Sequence, residues 1–172
     1  VFTSDHGDYM GDHRLMLKSG LHYRGLVRVP FIWADPTSTN APESHHGQFS
    51  AIDFTPTILR RAGVDPYWGI LGRDAVNSEG HDCILIEEHG HQTMPGFDGP
   101  IRNRTMICQG KRISIFQGVE WGELYDLESD PDEIKNLWGD QNAASLKAEL
   151  LGKMAYLQME MADRAVYPPG RA

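Results

Sequence analysis

Cysteine is scarce in this chain, and so is unbroken hydrophobic sequence. The 172 residues include only two cysteines, Cys83 and Cys108, and neither has the CxxC spacing of a thiolate metal site. Both lie in apolar, strand-like stretches, so we expect buried free thiols, with a disulfide as the alternative. No apolar run approaches the ~20 residues of a membrane span, so no membrane association is expected.

Positive charge is the second shortage. Lys and Arg number 16 against 24 Asp and Glu, which gives a formal net charge of −8. That balance excludes a broad surface for nucleic acid or another polyanion. A small anionic substrate would therefore need a local island of positive charge. No signal peptide is visible, and a cytoplasmic location is the expectation.

The first 18 residues carry the one organised cluster of charged side chains in the sequence. A short β-type run over residues 1–3 ends in Ser-Asp-His-Gly, so an acid and an imidazole follow a strand directly. In open α/β sheets, ligands bind just beyond the carboxyl ends of the strands. Asp5 and His6 are natural metal ligands there, and Gly7 allows a tight turn behind them. Lys18 supplies a cation that could meet an anionic substrate beside the metal.

The rest of the N-terminal part predicts one strand and one helix between loops. Residues 8–25 indicate an irregular loop, and residues 27–33 a strand with Pro30 at an edge or bulge. Asp53 is a plausible N-cap for a helix that Gly63 ends. The apolar residues expected on one face of that helix are Phe54, Ile58, Leu59 and Ala62.

The C-terminal part has a different character. Four short strands are predicted at residues 83–86, 105–108, 112–116 and 122–127, joined by tight turns such as Gln109-Gly110. A helix is predicted over residues 143–164, because apolar side chains recur there every three or four residues. That stripe, which we expect to pack on the sheet, comprises Leu146, Leu150, Met154, Leu157 and Met161. Three aromatic residues are expected in the same core: Trp121, Tyr125 and Trp138.

Several other polar residues have a functional and a plain interpretation. His45 and His46 lie in a polar loop and are expected at the surface. His89 and His91 share one strand face and could bind a metal together with a glutamate, but a place at the substrate rim or simple exposure is preferred. Three basic residues of the C-terminal part could reach a distal charge of a substrate, although salt bridges are their default role: Arg102, Arg104 and Lys111.

Taken in order, the motifs resemble the sulfatase family of the alkaline-phosphatase-like superfamily, which includes arylsulfatases, choline sulfatases and phosphonate monoester hydrolases. The resemblance spans nearly the whole chain. Its Asp-His pair with the following lysine is closest to the phosphonate monoester hydrolase and choline-sulfatase-like branch. The segments that carry it are residues 3–7 (Thr-Ser-Asp-His-Gly), 11–15 with Lys18, 28–32, 52–59 with 62–64, and 122–127 through Asp130-Pro131 to Asn136-Leu137.

The resemblance implies a hydrolytic metal site of which this chain holds half. In the family, one divalent cation (calcium, magnesium or manganese) is bound by two acids of the N-terminal half and by a pair that matches Asp5 and His6. Lys18 matches the lysine that contacts the anionic oxygens of the substrate. His13 either donates a proton to the leaving oxygen or packs the loop. The formylglycine nucleophile is made within a Cys/Ser-x-Pro-x-Arg motif, which this chain does not contain.

We therefore expect an α/β fold: the C-terminal segment of an alkaline-phosphatase-like α/β sheet domain over residues 1–80, then a small α+β subdomain over residues 81–172 with a short antiparallel sheet and a long C-terminal helix. The expected function is that of the C-terminal portion of a sulfate ester hydrolase, inert alone and completed by an N-terminal half. A small anionic ester is the expected substrate, and a homo-oligomer is an open option. The alternatives are a phosphonate monoester hydrolase or phosphodiesterase of the same superfamily, and a non-catalytic binding or scaffolding domain.

Overall fold

A four-stranded antiparallel sheet is the largest regular element of the chain. The computed structural model describes residues 1–37, 44, 46–93 and 96–162, with only the backbone described at 91–93. The strands are β3 (Cys83–Thr93), β4 (Pro100–Cys108), β5 (Lys111–Phe116) and β6 (Gly122–Asp126), and they pair in chain order. Gln109 and Gly110 both have positive φ, 49° and 73°, which gives the β4–β5 hairpin a turn matched to the strand twist. The predicted strands and turn are confirmed.

One face of this sheet packs against the long helix α3 (Ala144–Glu160). The core between them consists of Met106, Cys108, Ile113, Leu124, Leu150 and Met154, and Leu146 and Leu157 pack at its margin. The apolar stripe of the helix is thus confirmed as a packing face. Trp121 does not join this core: it is 43% exposed and packs edge-on with Phe97 and at a tilt of 39° with Phe116.

The two cysteines are joined to each other. Cys83 on β3 and Cys108 on β4 are direct partners in the strand register, and they form a disulfide. The expectation of free thiols is wrong, because it depended on burial alone. The antiparallel pairing of β3 with β4 sets the two side chains on one face at adjacent positions, which is what a disulfide requires.

The opposite face of the sheet is polar yet buried. Alternation along β4 and β5 turns Asn103, Thr105, Arg112 and Ser114 away from α3, and all four are at most 2% exposed. The N-terminal part of the chain covers them. His22 Nδ1 lies 2.9 Å from Thr105 Oγ1, and Asn103 Nδ2 donates to the carbonyl of Gly20 over 2.5 Å. Hydrogen bonds therefore join the two parts of the chain across this face.

In the N-terminal part, β1 (Phe2–Thr3) pairs antiparallel with β2 (Phe31–Ile32). The predicted strand over residues 27–33 is shorter than expected, because a helical turn, α1 (Arg24–Val27), takes its place upstream. The carboxylate of Glu133 accepts a hydrogen bond from the Arg24 N–H over 2.7 Å and so stabilises the start of α1. Pro30, which has no N–H, separates α1 from β2.

Helix α2 (Phe54–Arg61) forms where the sequence predicts it and ends at Gly63, which has a φ of +73°. The apolar face predicted for this helix is not its buried face, since Ile58 is 52% exposed. The buried helix residues are Pro56 and Thr57, and Thr57 Oγ1 accepts a hydrogen bond from the Ala75 N–H over 2.8 Å. Polar contacts to the following loop, rather than an apolar stripe, orient this helix. Within the described residues no helix is long and apolar enough to cross a membrane.

Candidate functional site

Asp5, His6 and Lys18 come together just beyond the end of β1. Lys18 Nζ lies 2.8 Å from His6 Nε2, and Asp5 Oδ2 lies 3.5 Å from the same nitrogen. The Asp5 side chain is 84% exposed and that of His6 38% exposed. The chain thus presents a carboxylate, an imidazole nitrogen and an ammonium group at one open edge, as the sequence pattern predicts.

The tautomer of His6 follows from its neighbours. His6 Nδ1 lies 2.7 Å from the carbonyl oxygen of Gly7, which can only accept, so Nδ1 carries the proton. Nε2 is then left with a lone pair in the neutral ring. The Lys18 ammonium donates to that lone pair. The nitrogen suited to bind a metal therefore faces the open edge, and Lys18 occupies it in this arrangement.

Asp5 is held as a carboxylate. The His6 backbone N–H donates to Asp5 Oδ1 over 3.0 Å. This hydrogen bond, together with the nearby imidazole, holds the pKa of Asp5 below its ordinary value. Oδ2 remains open toward solvent and toward His6 Nε2. One oxygen is fixed by the backbone and the other is available as a ligand.

The geometry of the pair fits half of a metal site. Two ligand atoms on one ion, bonded at about 2.2–2.4 Å, lie roughly 3.1–3.9 Å apart at octahedral or tetrahedral angles. The separation of Asp5 Oδ2 from His6 Nε2 is 3.5 Å, within that span. Among the residues that the structure describes, no group of three or more His, Cys, Asp and Glu side chains could hold a metal ion. The remaining ligands would have to come from outside these residues.

Gly7 fixes the backbone behind this edge through close packing. Its N–H donates to the carbonyl of Leu26 over 2.7 Å, and a Cβ at Gly7 would lie 2.0 Å from the carbonyl oxygen of Gly25. No side chain fits in that space. The sequence predicts a tight turn at Gly7. In the structure, the lack of a side chain at Gly7 lets the backbone of helix α1 pack directly against it.

The loop that carries Lys18 has an unusual backbone. Four residues other than glycine have positive φ there: Met10, His13, Arg14 and Leu17, at 50°, 53°, 62° and 64°. Each costs conformational energy, so such a loop persists only where surrounding contacts fix it. Its two ends are joined to each other by the Tyr9 hydroxyl, which donates to the Leu21 carbonyl, and Asn103 of β4 donates to the Gly20 carbonyl.

His13 lies apart from the Asp5–His6 edge contacts. Its ring stacks on the ring of Tyr23, with centroids 3.7 Å apart and planes at 13°. The Arg112 guanidinium also lies over the Tyr23 ring, 5.0 Å from its centroid. Burial, and then the Glu123 charge, raise the pKa of Tyr23. The packing of His13 on Tyr23 is clear, and its role in proton transfer stays a prediction.

A buried ionic cluster lies beneath this stack. Arg112 is 1% exposed and forms ion pairs with Glu123, at 2.9 Å, and with Glu133. Burial, and then the charge of Arg112, lower the pKa of the neighbouring His22 to about 4. No sequence motif marks this cluster, because its members come from three separate segments of the chain.

The other predicted polar sites are in plain surroundings. Arg104 Nε forms an ion pair with Glu87 over 2.5 Å, and its Nη2 lies 3.0 Å from His89 Nε2. Lys111 pairs with Asp126 and Glu128. Salt bridges are thus the observed role of these two cations. The His45 position and the His91 side chain lie outside the described residues.

Sequence reasoning missed a second Asp–His pair. Asp53 Oδ1 lies 2.8 Å from His81 Nε2, and both side chains are at most 6% exposed. The same carboxylate accepts from the backbone N–H groups of Arg73 and Ser50, each over 2.7 Å. From its sequence position, Asp53 is expected only as the N-cap of helix α2. The 28 residues that separate the pair left no local pattern to find.

Comparison with known proteins places these features in a family. Residues 1–64 match the family model described as Sulfatase. The chain is 31% identical to the choline-sulfatase of Rhizobium meliloti, over 96% of this chain and 33% of that protein. It is 32% identical to an arylsulfatase of Clostridium perfringens, over 80% of this chain and 28% of the relative.

A solved structure agrees in fold. The phosphonate monoester hydrolase of Agrobacterium radiobacter superposes with a TM-score of 0.75 at 24% identity, covering 94% of this chain and 35% of that one. The fold is that of the C-terminal part of such hydrolases. The chain belongs to the sulfatase family and corresponds to the C-terminal part of its members. It spans about a third of the length of the curated relatives it matches.

Proposed function

We propose that this chain is part of a metal-dependent hydrolase of sulfate esters, in which Asp5 and His6 bind the divalent cation and Lys18 binds the anionic group of the substrate. The observation that carries the proposal is the convergence of Asp5 Oδ2 and Lys18 Nζ on His6 Nε2, at 3.5 and 2.8 Å. Family membership and the sulfatase relatives support it. The substrate is a small anionic ester, and the organic group is left open.

The chemistry of these residues follows from their protonation states. Bound between Asp5 and His6, a divalent cation would act as a Lewis acid toward an ester oxygen and lower the pKa of a neighbouring nucleophile. Asp5 contributes a full negative charge, since its pKa is lowered. His6 contributes the Nε2 lone pair that the Gly7 carbonyl leaves exposed. Asp5 is therefore an anionic ligand, and His6 offers Nε2 as the second ligand atom.

Lys18 has two partners that alternate. In the structure its ammonium donates to His6 Nε2. With a divalent cation held by His6 Nε2, the ammonium would be free to donate to a sulfate oxygen at the open edge. A cation already in place stabilises charge that develops on those oxygens. Lys18 is thus the local positive charge that an anionic substrate needs in a chain of net charge −8.

The proposed nucleophile is a formylglycine from the part of the protein that the family carries outside this region. This chain contains no Cys/Ser-x-Pro-x-Arg motif. The isolated 172-residue chain is therefore expected to lack turnover, and the complete protein to have it. The N-terminal half is the partner that completes the metal site, and a homo-oligomer of complete chains is compatible with this arrangement.

The test is metal content together with turnover in the complete protein. Asp5→Asn and His6→Ala should abolish hydrolysis of an aryl sulfate and lower the bound metal measured by plasma mass spectrometry. Asp65→Asn, at a carboxylate whose side chain is 89% exposed, is the matched control and should change neither. Full metal content with normal activity in either ligand variant would refute the site. Reconstitution with calcium, magnesium or manganese then identifies the metal.

Phosphonate monoester hydrolysis is kept as a second candidate activity for one reason. The superposed phosphonate monoester hydrolase covers nearly all of this chain. Parallel assays on an aryl sulfate and an aryl phosphonate monoester separate the two substrate classes by their kcat/KM. We expect the sulfate to be preferred, because both curated relatives described above are sulfatases. Activity on neither ester, with no bound metal, would favour a non-catalytic binding domain.

His13 is proposed as the proton donor to the leaving oxygen. The variant His13→Phe keeps a ring to stack on Tyr23 and removes the proton. Its kcat should fall most for esters with poor leaving groups, as general acid catalysis requires. An equal, small effect on all esters would assign His13 to loop packing alone.

A further inference from the structure

Tyr9 is a buried polar side chain beneath the loop that carries Lys18. It is 1% exposed, and its ring meets Tyr23 edge-on with centroids 6.4 Å apart. Nothing in the proposed chemistry uses it. A buried hydroxyl must form hydrogen bonds to offset its loss of water, so its partners show what it holds in place.

The partners of the Tyr9 hydroxyl and of the Tyr9 N–H lie on either side of Lys18, while the Tyr9 carbonyl accepts from the Asp12 N–H over 2.8 Å. The hydroxyl donates to the carbonyl of Leu21 over 2.5 Å and accepts from Ser19 Oγ over 2.8 Å. At the other end of the residue, the Tyr9 N–H donates to the carbonyl of Leu17 over 3.0 Å. Burial raises the pKa of Tyr9, so the hydroxyl remains a donor at neutral pH.

These bonds fix a backbone that side-chain packing does not hold. Leu17 adopts the left-handed conformation at a φ of 64°, and its side chain is 69% exposed. The energetic cost of that conformation needs a compensating contact, which is the bond from Tyr9 to the Leu17 carbonyl. Lys18 follows this turn directly. Ser19, the next residue, is bonded to the Tyr9 hydroxyl.

We propose that Tyr9 is a positioning residue: it holds the segment 17–21 so that the Lys18 ammonium lies at the Asp5–His6 edge. The proposal rests on the proposed role of Lys18. The hydroxyl of Tyr9 contacts Ser19 and Leu21, and it is expected to act on the substrate only through Lys18. Without the Tyr9 contacts, the Lys18 ammonium should lie at the Asp5–His6 edge less often, which weakens binding of the anionic group.

The experiment is a double-mutant cycle in the complete protein with an aryl sulfate as substrate. Tyr9→Phe keeps the ring and removes the hydroxyl. It removes the hydroxyl bonds to Leu21 and Ser19 and should lower kcat/KM by roughly three- to tenfold, with metal content unchanged. In the Lys18→Ala background the same change should have no further effect on kcat/KM. Tyr156→Phe, at a ring 73% exposed, is the control and should change nothing.

Each outcome decides the proposal. An equal loss from Tyr9→Phe with and without Lys18 would show a general structural role and overturn it. A Tyr9→Phe variant with normal kcat/KM, beside an impaired Lys18→Ala, would also overturn it and leave the proposed function intact. Unchanged kcat/KM in Lys18→Ala would instead refute the proposed role of Lys18 itself. Should Tyr9→Phe fail to fold, Ser19→Ala removes one of the two hydroxyl bonds from the other side, and it should give a smaller loss that again disappears in the Lys18→Ala background.

Discussion

The chain contains two Asp–His pairs that differ in everything except their composition. Asp5 and His6 are neighbours in sequence at an open edge, with side chains 84% and 38% exposed. Asp53 and His81 are brought together over 28 residues and are 2% and 6% exposed. Both pairs could hold a metal by residue type alone. Only their surroundings separate the two.

The separating feature is how many hydrogen bonds each carboxylate already accepts. Asp53 accepts from His81 and from the backbone N–H groups of Arg73 and Ser50, so both of its oxygens are occupied inside the protein. Asp5 has one oxygen bonded to the His6 N–H and the other open. A saturated carboxylate stabilises a fold, whereas an unsaturated one at an edge can bind a ligand. We therefore interpret Asp53–His81 as structural and Asp5–His6 as functional.

The largest expected effect is on stability and comes from the buried pair. Asp53→Ala leaves a buried imidazole and two backbone N–H groups without an acceptor, and it should lower the free energy of unfolding by about 3 to 5 kcal/mol. Urea unfolding of the chain followed by circular dichroism measures it.

Asp5→Ala is the matched change at the exposed pair. Its unfolding midpoint should equal that of the unchanged chain, because the Asp5 side chain is mostly solvated. In the complete protein the same variant should lose metal. A comparable loss of stability at both positions would contradict the division into a structural and a functional pair.

The second effect concerns pH and extends the comparison to a third histidine. His22 is 4% exposed, and its pKa in the folded chain is about 4, below the ordinary 6.5. The unfolded chain therefore binds more protons between these values, and stability falls as pH decreases from 6.5 to 4. By pH 4 the loss should reach about 3 kcal/mol.

The control for this pH effect is a variant without the titrating ring. His22→Asn keeps a polar side chain near Thr105 Oγ1 and removes the protonation. The difference in unfolding free energy between the two proteins, followed by urea titration from pH 7 to pH 4, isolates His22 from the carboxylates. A difference that stays constant from pH 7 to pH 4 would show that folding does not lower the pKa of His22.

The third effect tests how the exposed pair is supported. Gly7→Ala places a Cβ against the Gly25 carbonyl and should destabilise the chain by about 1 to 3 kcal/mol while displacing His6. Gly152→Ala is the same substitution within α3, where a Cβ meets nothing within 4 Å. It should stabilise by about 0.5–1 kcal/mol. Equal changes in the free energy of unfolding at both positions would show that helix α1 accommodates a Cβ at position 7 without loss of stability.

Much of the fold follows from local sequence pattern, and the exceptions have a common cause. The strands of the sheet and the helix α3 were predictable because their apolar periodicity matches the faces they bury. The short β2 and the orientation of α2 were not, because Glu133 and Asp53 act there through hydrogen bonds to distant residues. The disulfide required the register of β3 on β4, which periodicity does not give.

The candidate site divides in the same way. The convergence of Asp5, His6 and Lys18 was predictable, because the acid and the imidazole are adjacent and the lysine belongs to the same motif. The support beneath it was not predictable. Asn103 and the Arg112 cluster act across the contact between the two parts of the chain, and Tyr9 acts within the N-terminal part, each as a polar residue buried against the usual expectation for its type. The residues proposed to bind the metal and the substrate could be predicted from the sequence, whereas the residues that hold them in place could not.

The smallest expected effect is at the exposed loop itself and concerns its backbone. Leu17 has a φ of 64° and a side chain 69% exposed, so glycine there relieves a strained conformation and loses little packing. Leu17→Gly should change stability by less than about 0.5 kcal/mol, since the relief offsets the greater entropy of the unfolded chain. Met16→Gly, at a neighbouring side chain 67% exposed, has no strain of this kind to relieve. It should destabilise by about 0.5–1 kcal/mol. If urea unfolding gave the two glycine variants the same stability, the left-handed turn before Lys18 would carry no strain, and the bond from Tyr9 would have nothing to hold.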